Sequence, residues 1–234
     1  MTKRRILYGL AQMRRFILKH FSSRATILIL SVFIGILGAA AAVIIKNLVH
    51  FTTAALGRAF PDAEINYFYL ILPTLGILLT LWFVRRVIKD NLSHGVSIVL
   101  KAICKSDGKL RFHNTFSSMI SSAITVGFGG SVGLEAPIVL TGSAIGSNMG
   151  KFFHLNAKQT TLLLACGSAA AMAAVFKAPI AAIVFTFEVL MLDLTGSAIL
   201  PLLLSAATGT VMSLLFLGRD VMFTVNVTQG FFLS

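Results

Sequence analysis

The sequence predicts an all-α polytopic membrane protein, and three observations carry that prediction. Hydrophobic residues make up 56% of the 234-residue chain and charged residues only 12%, with a mean hydropathy of +0.89, a balance outside that of a soluble globular domain. Near the N-terminus stand two apolar runs, each long enough to cross about 30 Å of hydrocarbon as a helix. Beyond Asp90 the apolar pieces shorten and are cut by Gly, Ser and Pro. Interrupted helices of that kind survive at membrane depth where protein or a water-filled cavity surrounds the broken backbone, although a bundle of tilted helices reads similarly.

Residues 1–25 form a basic arm, with Lys3, Arg4, Arg5, Arg14, Arg15, Lys19 and Arg24 supplying much of the formal net charge of +12. No basic run interleaved with aromatics suggests a nucleic-acid surface. Lys and Arg flanking the spans instead fit the positive-inside rule, which places the arm in the cytoplasm. The arm and the apolar stretch after it are both too long for a signal peptide, and no clear cleavage site follows, so the first helix is read as retained.

The elements follow in order. Thr26 to about Val49 forms the first span, with Gly35, Gly38 and Ala39 to Ala42 as a small-residue packing face. Asn66 to Val84 forms the second, closed by Arg85, Arg86 and Lys89. Six pieces remain: Gly95 to Ile103, Phe116 to Val126, Ala136 to Met149, Thr160 to Phe176, Pro179 to Leu192 and Ser197 to Leu217. Of these only the last is predicted to be a full-length span. Cys104 and Cys166 lack metal-ligand spacing and are read as packing residues. His20, His50, His113 and His154 are not spaced for a metal either, and none is predicted.

Gly133-Leu134-Glu135-Ala136-Pro137, followed by Gly142-Ser143-Ala144-Ile145-Gly146, sets one carboxylate among small residues in an apolar region. An ionised group at membrane depth is costly unless paired, hydrated or functional, which marks Glu135 as a candidate site. Broken helices offer N-termini whose N–H groups lack intrahelical partners and carry about half a positive charge. Ser93-His94-Gly95-Val96-Ser97 is one such opening, where glycine lets the backbone approach a ligand. Gly133 to Pro137 is the other, with proline presetting the first helical turn. The Glu135 carboxylate is expected either to sit on these amides as a tethered competitor that an anion or a proton displaces, or merely to cap the helix. Membrane depth favours the first.

These residues resemble the N-terminal half, the first inverted repeat, of the CLC family of chloride channels and chloride/proton antiporters. In that family Gly-Lys/Arg-Glu-Gly-Pro and a Gly-Ala-x-x-Gly helix present the gating glutamate, and Gly133 to Gly146 matches that frame with Leu134 and Ala136 as departures. Ala165-Cys166-Gly167-Ser168-Ala169-Ala170 to Phe176-Lys177-Ala178-Pro179-Ile180-Ala181 is similar to the family's small-residue stretch ending in Phe-Asn-Ala-Pro-Leu-Ala. Ile183 to Val189 resembles its Phe-x-x-Glu-Glu or Phe-x-x-Glu-Val helix. There Glu188 aligns with a glutamate of both branches, while Val189 takes the place of the antiporters' internal proton-transfer glutamate. Ser93 to Ser97 matches Gly-Ser-Gly-Ile-Pro most weakly, with His94 in place of the anion-binding serine.

The resemblance implies a CLC-like inverted-repeat fold with short broken helices, residues 26–234 being the transmembrane domain. It implies a voltage-gated-type chloride channel, gated by Glu135 and supported by Pro137 and Glu188, with the anion held by Ser93, His94, Gly95, Val96, Gly133, Leu134 and Ala136. Val189 favours passive conduction; the alternative is a chloride/proton antiporter or a carrier of fluoride or another anion. No cofactor is implied, chloride being the transported ligand. A neutral His94 imidazole donates a hydrogen bond to chloride and a protonated one binds it more tightly, unless the Gly95 and Val96 amides do the binding alone.

Further implications concern assembly. The expected partners are membrane lipid and a second copy of the chain, meeting through helices 179–192 and 197–217, whose small residues Gly196, Ser197, Ala198, Ser205, Ala206, Ala207 and Gly209 allow close contact between or within subunits. The expected location is a prokaryotic inner membrane. The second repeat's anion ligands are not found in the sequence, and Gly218 to Ser234 reads as a loop running into a further helix, so the chain is expected to be a shortened form, with a nonconducting product as one reading. An intramembrane hydrolase using Ser93, His94 and His154 is the reading from another class. It lacks a Gly-x-Ser-x-Gly turn or a His-Glu-x-x-His motif, and an enzyme is not expected.

Overall fold

The computed structural model describes residues 23–59, 68–88, 95–191 and 196–218, and the described chain is helical with short connections. Helix α1 is Ser23–Ala59; α2 is Phe68–Phe83, prolonged by a π turn over Val84–Ile88; α3 is Gly95–Lys105. A 3-10 turn at Phe112–Thr115 leads to α4, Ser117–Gly127. Then come α5 (Glu135–Phe152), α6 (Ala157–Phe176), α7 (Pro179–Leu190) and α8 (Gly196–Leu217). Residues 1–22, and with them most of the basic arm, lie outside the described residues, as do 219–234.

The breaks predicted from hydropathy fall within a few residues of the observed helix ends, with two corrections. Helix α1 runs ten residues past Val49 to Ala59, and within that extension the Thr52 and Thr53 hydroxyls both donate back to the Val49 carbonyl, at 2.8 and 2.9 Å, so they are satisfied inside the helix. Helix α6 is also a full-length span rather than a short piece, at 20 residues. The Asn156 side chain accepts from the Gln159 N–H at 2.9 Å and caps the helix three residues before Thr160. Among the described residues four helices are long and apolar enough to cross a membrane: Arg24–Leu56, Ile71–Ile88, Ala157–Phe176 and Ala198–Leu217.

Helix α6 is the centre of the fold, and 78% of its span is buried against other helices. Burial on every side explains its composition: a span that touches little lipid has no need of large apolar residues, and Ala165, Cys166, Gly167, Ser168, Ala169 and Ala170 are all inaccessible. Helix α5 runs antiparallel along it through Gly142, Gly146 and Gly150. A Cβ at these positions would meet the Gly167 carbonyl, the Leu163 carbonyl and the Thr160 side chain respectively. This is small-xxx-small packing, in which backbones approach closely because no side chain intervenes.

Two more helices close on α6. A Cβ at Gly38 of α1 would come to 3.1 Å from Ala170 Cβ, and one at Gly209 of α8 to 2.7 Å from the Ala170 carbonyl oxygen. Thr210 and Ser213 of α8 donate to the Ala173 and Ala174 carbonyls of α6, at 3.4 and 2.5 Å. These two buried hydroxyls are thereby satisfied, as a low-dielectric interior favours, whereas those of Ser117, Thr141, Ser143 and Ser168 have no partner among the described residues. The outward faces of α2, α7 and α8 expose large apolar residues, among them Leu78, Trp82, Val184 and Leu215, as suits a surface turned to lipid.

Candidate functional site

The two openings singled out in the sequence come together. Helix α3 starts at Gly95, which is buried, and α5 starts at Glu135. A Cβ at Gly95 would stand 2.5 Å from the Ala136 carbonyl oxygen and 3.3 Å from Leu140 Cβ. Only a glycine permits this approach, which sets the first turn of one helix against the first turn of the other. Leu140, one turn below Ala136, completes the seat. Sequence reading missed it, although its i+4 spacing from Ala136 carries the signal.

At the mouth of α5 the backbone is short of partners. Its first bridging bond runs from the Ile138 N–H to the Leu134 carbonyl, at 3.0 Å. Among the described residues the N–H groups of Gly133, Leu134, Glu135 and Ala136 carry no hydrogen bond to the backbone, and the N-cap Leu134 supplies no side-chain cap. Pro137, buried, contributes no N–H and holds the first turn in place. The result is a rim of donors at the positive end of an 18-residue helix, a place that favours negative charge.

Glu135 is exposed, and its carboxylate folds back over Gly133, where an added Cβ would meet Oε2. It accepts no hydrogen bond among the described residues. The carboxylate therefore stands beside the amide rim without occupying it. Ser93 and His94 lie outside the described residues. Val96 and Leu134 are half-buried and pack against the main core.

The remaining candidates lie on α7, which packs against α3. Glu188 is exposed on its last turn, while Val189 is half-buried against the core. His154, required by the hydrolase reading, follows the far end of α5, where its Nδ1 lies 3.2 Å from the Phe152 carbonyl oxygen. Eighteen helical residues separate it by about 27 Å from the Gly95 junction. That reading therefore loses its third residue. Of the small residues assigned to a subunit interface, Ser205, Ala206 and Gly209 are consumed inside the chain against α1 and α6, whereas Gly196 and Ala207 are exposed.

Residues 76–233 match the family model for voltage gated chloride channels. A ClcB-like protein of Ralstonia nicotianae is 30% identical over 160 residues, which is 67% of this chain and 37% of that protein. The crystal structure of a CLC-type fluoride/proton antiporter superposes with a TM-score of 0.69 at 28% identity, over 88% of this chain and 51% of the antiporter chain. A slow cyanobacterial chloride/proton antiporter shares the fold at 18% identity, with a TM-score of 0.65 over 89% of this chain and 50% of that one. The chain thus spans about half the length of these solved structures and a little over a third of the Ralstonia protein.

Proposed function

Because this chain belongs to the voltage-gated chloride channel family, we propose that the junction of α3 and α5 is an anion site in a chloride path gated by Glu135. The observation that carries the reading is the approach of Gly95 to Ala136, which makes one amide-rich rim out of two helix N-termini. Such a rim holds an anion by N–H donors and helix dipoles without a buried cation. The Glu135 carboxylate, folded over Gly133 beside the same amides, competes with the anion by swinging onto them, and its protonation or displacement ends that competition. The family resemblance adds His94 to the proposed anion ligands, as a residue whose imidazole can donate a hydrogen bond to the anion.

Val189 supports passive conduction. Its side chain has no ionisable proton, and at its place on α7 a hydrocarbon is half-buried where many antiporters of this family hold a carboxylate. The second reading, proton-coupled antiport, has its own support in the two solved neighbours, which are antiporters for fluoride and for chloride. In either reading residues 26–234 form an integral membrane domain, residues 1–25 lie in the cytoplasm and no cofactor takes part. The proposed assembly is a homodimer in lipid, joined through the exposed faces of α7 and α8.

The test is flux of the two ions together. The protein is reconstituted in chloride-loaded vesicles, and chloride efflux and proton movement are recorded under an imposed potential. Chloride efflux without proton movement is the expected result; proton uptake in fixed ratio to chloride would establish the antiporter.

A further inference from the structure

We propose that the end of the fold built from the 106–116 connection and the turn between α5 and α6 is a binding surface for anionic phospholipid headgroups. The surface is a single rigid piece. Gly108 and Asp107 adopt left-handed φ values of 71° and 50°, and the Gly108 N–H returns to the Ala102 carbonyl at 2.9 Å, turning the chain sharply off α3. Gly108 then lies on Thr161 of α6, where a Cβ would come to 2.8 Å from its hydroxyl. Ser147 of α5 accepts from the Leu110 N–H at 2.8 Å and donates to the Gly108 carbonyl at 2.6 Å. Lys151 donates to the Leu110 carbonyl and, at 3.1 Å, to Asn148.

What this piece displays is a net positive charge beside exposed aromatic rings. Lys105, Lys109, Arg111 and Lys158 are all exposed. Between Asp90 and Glu135 the sequence holds a single acid, Asp107. It pairs with Lys109 at 3.9 Å with both side chains largely in solvent, a pair that salt screens and that leaves the surface positive. Directly after Arg111 stands Phe112, 70% exposed, edge-on to Phe116 at 6.2 Å between ring centroids.

Exposed phenylalanines beside cations at the ends of membrane helices fit the boundary between acyl chains and headgroups. There the rings enter the apolar layer and the cations meet phosphates. A free phosphate would use the charges and leave Phe112 and Phe116 in water; a lipid uses both. The occupant is therefore an anionic lipid.

The test uses the full chain in nanodiscs made from equal parts of phosphatidylcholine and phosphatidylglycerol, with co-purifying lipid counted by native mass spectrometry. Phosphatidylglycerol is expected to be retained about fivefold over phosphatidylcholine at low salt. A Lys105→Gln, Lys109→Gln, Arg111→Gln variant is expected to lose that preference, and Phe112→Ala to weaken retention of both lipids alike. Equal retention by the native chain, or an undiminished preference in the triple variant, overturns the proposal. So does displacement of the lipid by inorganic phosphate, which assigns the charges to a soluble anion, or a dimer that excludes lipid from this face.

Should the triple variant fail to fold, a bimane attached to the exposed Cys104, one residue from Lys105, reads the same contact in unsubstituted protein. Brominated phosphatidylglycerol must then quench it more strongly than brominated phosphatidylcholine, and equal quenching overturns the proposal.

Discussion

Gly95 and Ala136 lie so close that a Cβ on the first would stand 2.5 Å from the carbonyl oxygen of the second. Two helices that the sequence separates by some forty residues thus begin against each other. Each contributes first-turn N–H groups that have no partner within its own helix, and the proposed anion site exists only because both turns share one mouth.

Replacing Gly95 by Ala tests that closeness. The added methyl must push α3 away from α5, at a cost of about 1–3 kcal/mol for an overpacked site. Thermal unfolding in detergent is expected to shift down, and the stabilisation that chloride confers on the native protein is expected to fall. Unchanged unfolding with and without chloride would show that the two first turns are not tightly joined.

Gly146→Val addresses the scaffold. Its Cβ would run into the Leu163 carbonyl of α6, a backbone atom that cannot swing aside, and the loss is expected to reach or exceed the upper end of the about 1–3 kcal/mol typical of overpacking. Size-exclusion chromatography should report loss of monodisperse protein, whereas Gly196→Val, with nothing within 4 Å among the described residues, should behave like the native chain.

His94→Ser separates the imidazole from the amides. Under the proposed reading the variant keeps anion binding through Gly95 and Val96 and loses the part of its pH response that follows histidine protonation. Halide competition measured across the histidine range checks this; identical preference and pH response in both proteins would place His94 off the path.

The thiols test the packing around α6. Cys104 is exposed and Cys166 buried, so a maleimide is expected to label one thiol per folded chain and two after denaturation. Two labels on the folded protein would contradict a closed α5–α6–α8 core.

Much of this architecture is legible in the sequence because hydrophobic runs and their Gly and Pro breaks are local signals. The starts at Gly95, Pro179 and Gly196 and the ends at Phe176 and Leu217 follow them directly. Helix α6 was harder: Cys166, Gly167 and Ser168 lower its hydropathy, and only its encirclement by other helices makes such residues suitable for a span. The glycines at 142, 146 and 150 carry a visible i+4 pattern, yet the partner they pack against comes from the fold. The pinning of Leu110 by Ser147 and Lys151 across about forty residues has no sequence signature, because neither side signals the other. As for the site, Glu135 and the Gly95 opening are legible as isolated features, and their meeting is a tertiary fact. Where the carboxylate lies, folded over Gly133 rather than seated on the amides, follows from side-chain geometry alone.

The central claim is that Glu135 and an external anion compete for one set of amides. Chloride binding to the purified protein, followed by calorimetry as pH is lowered, measures that competition without requiring a complete conduction path. The account predicts that native affinity rises as pH falls, and that Glu135→Gln binds chloride more tightly with no such dependence on pH. Equal affinities and equal pH profiles in the two proteins would contradict it.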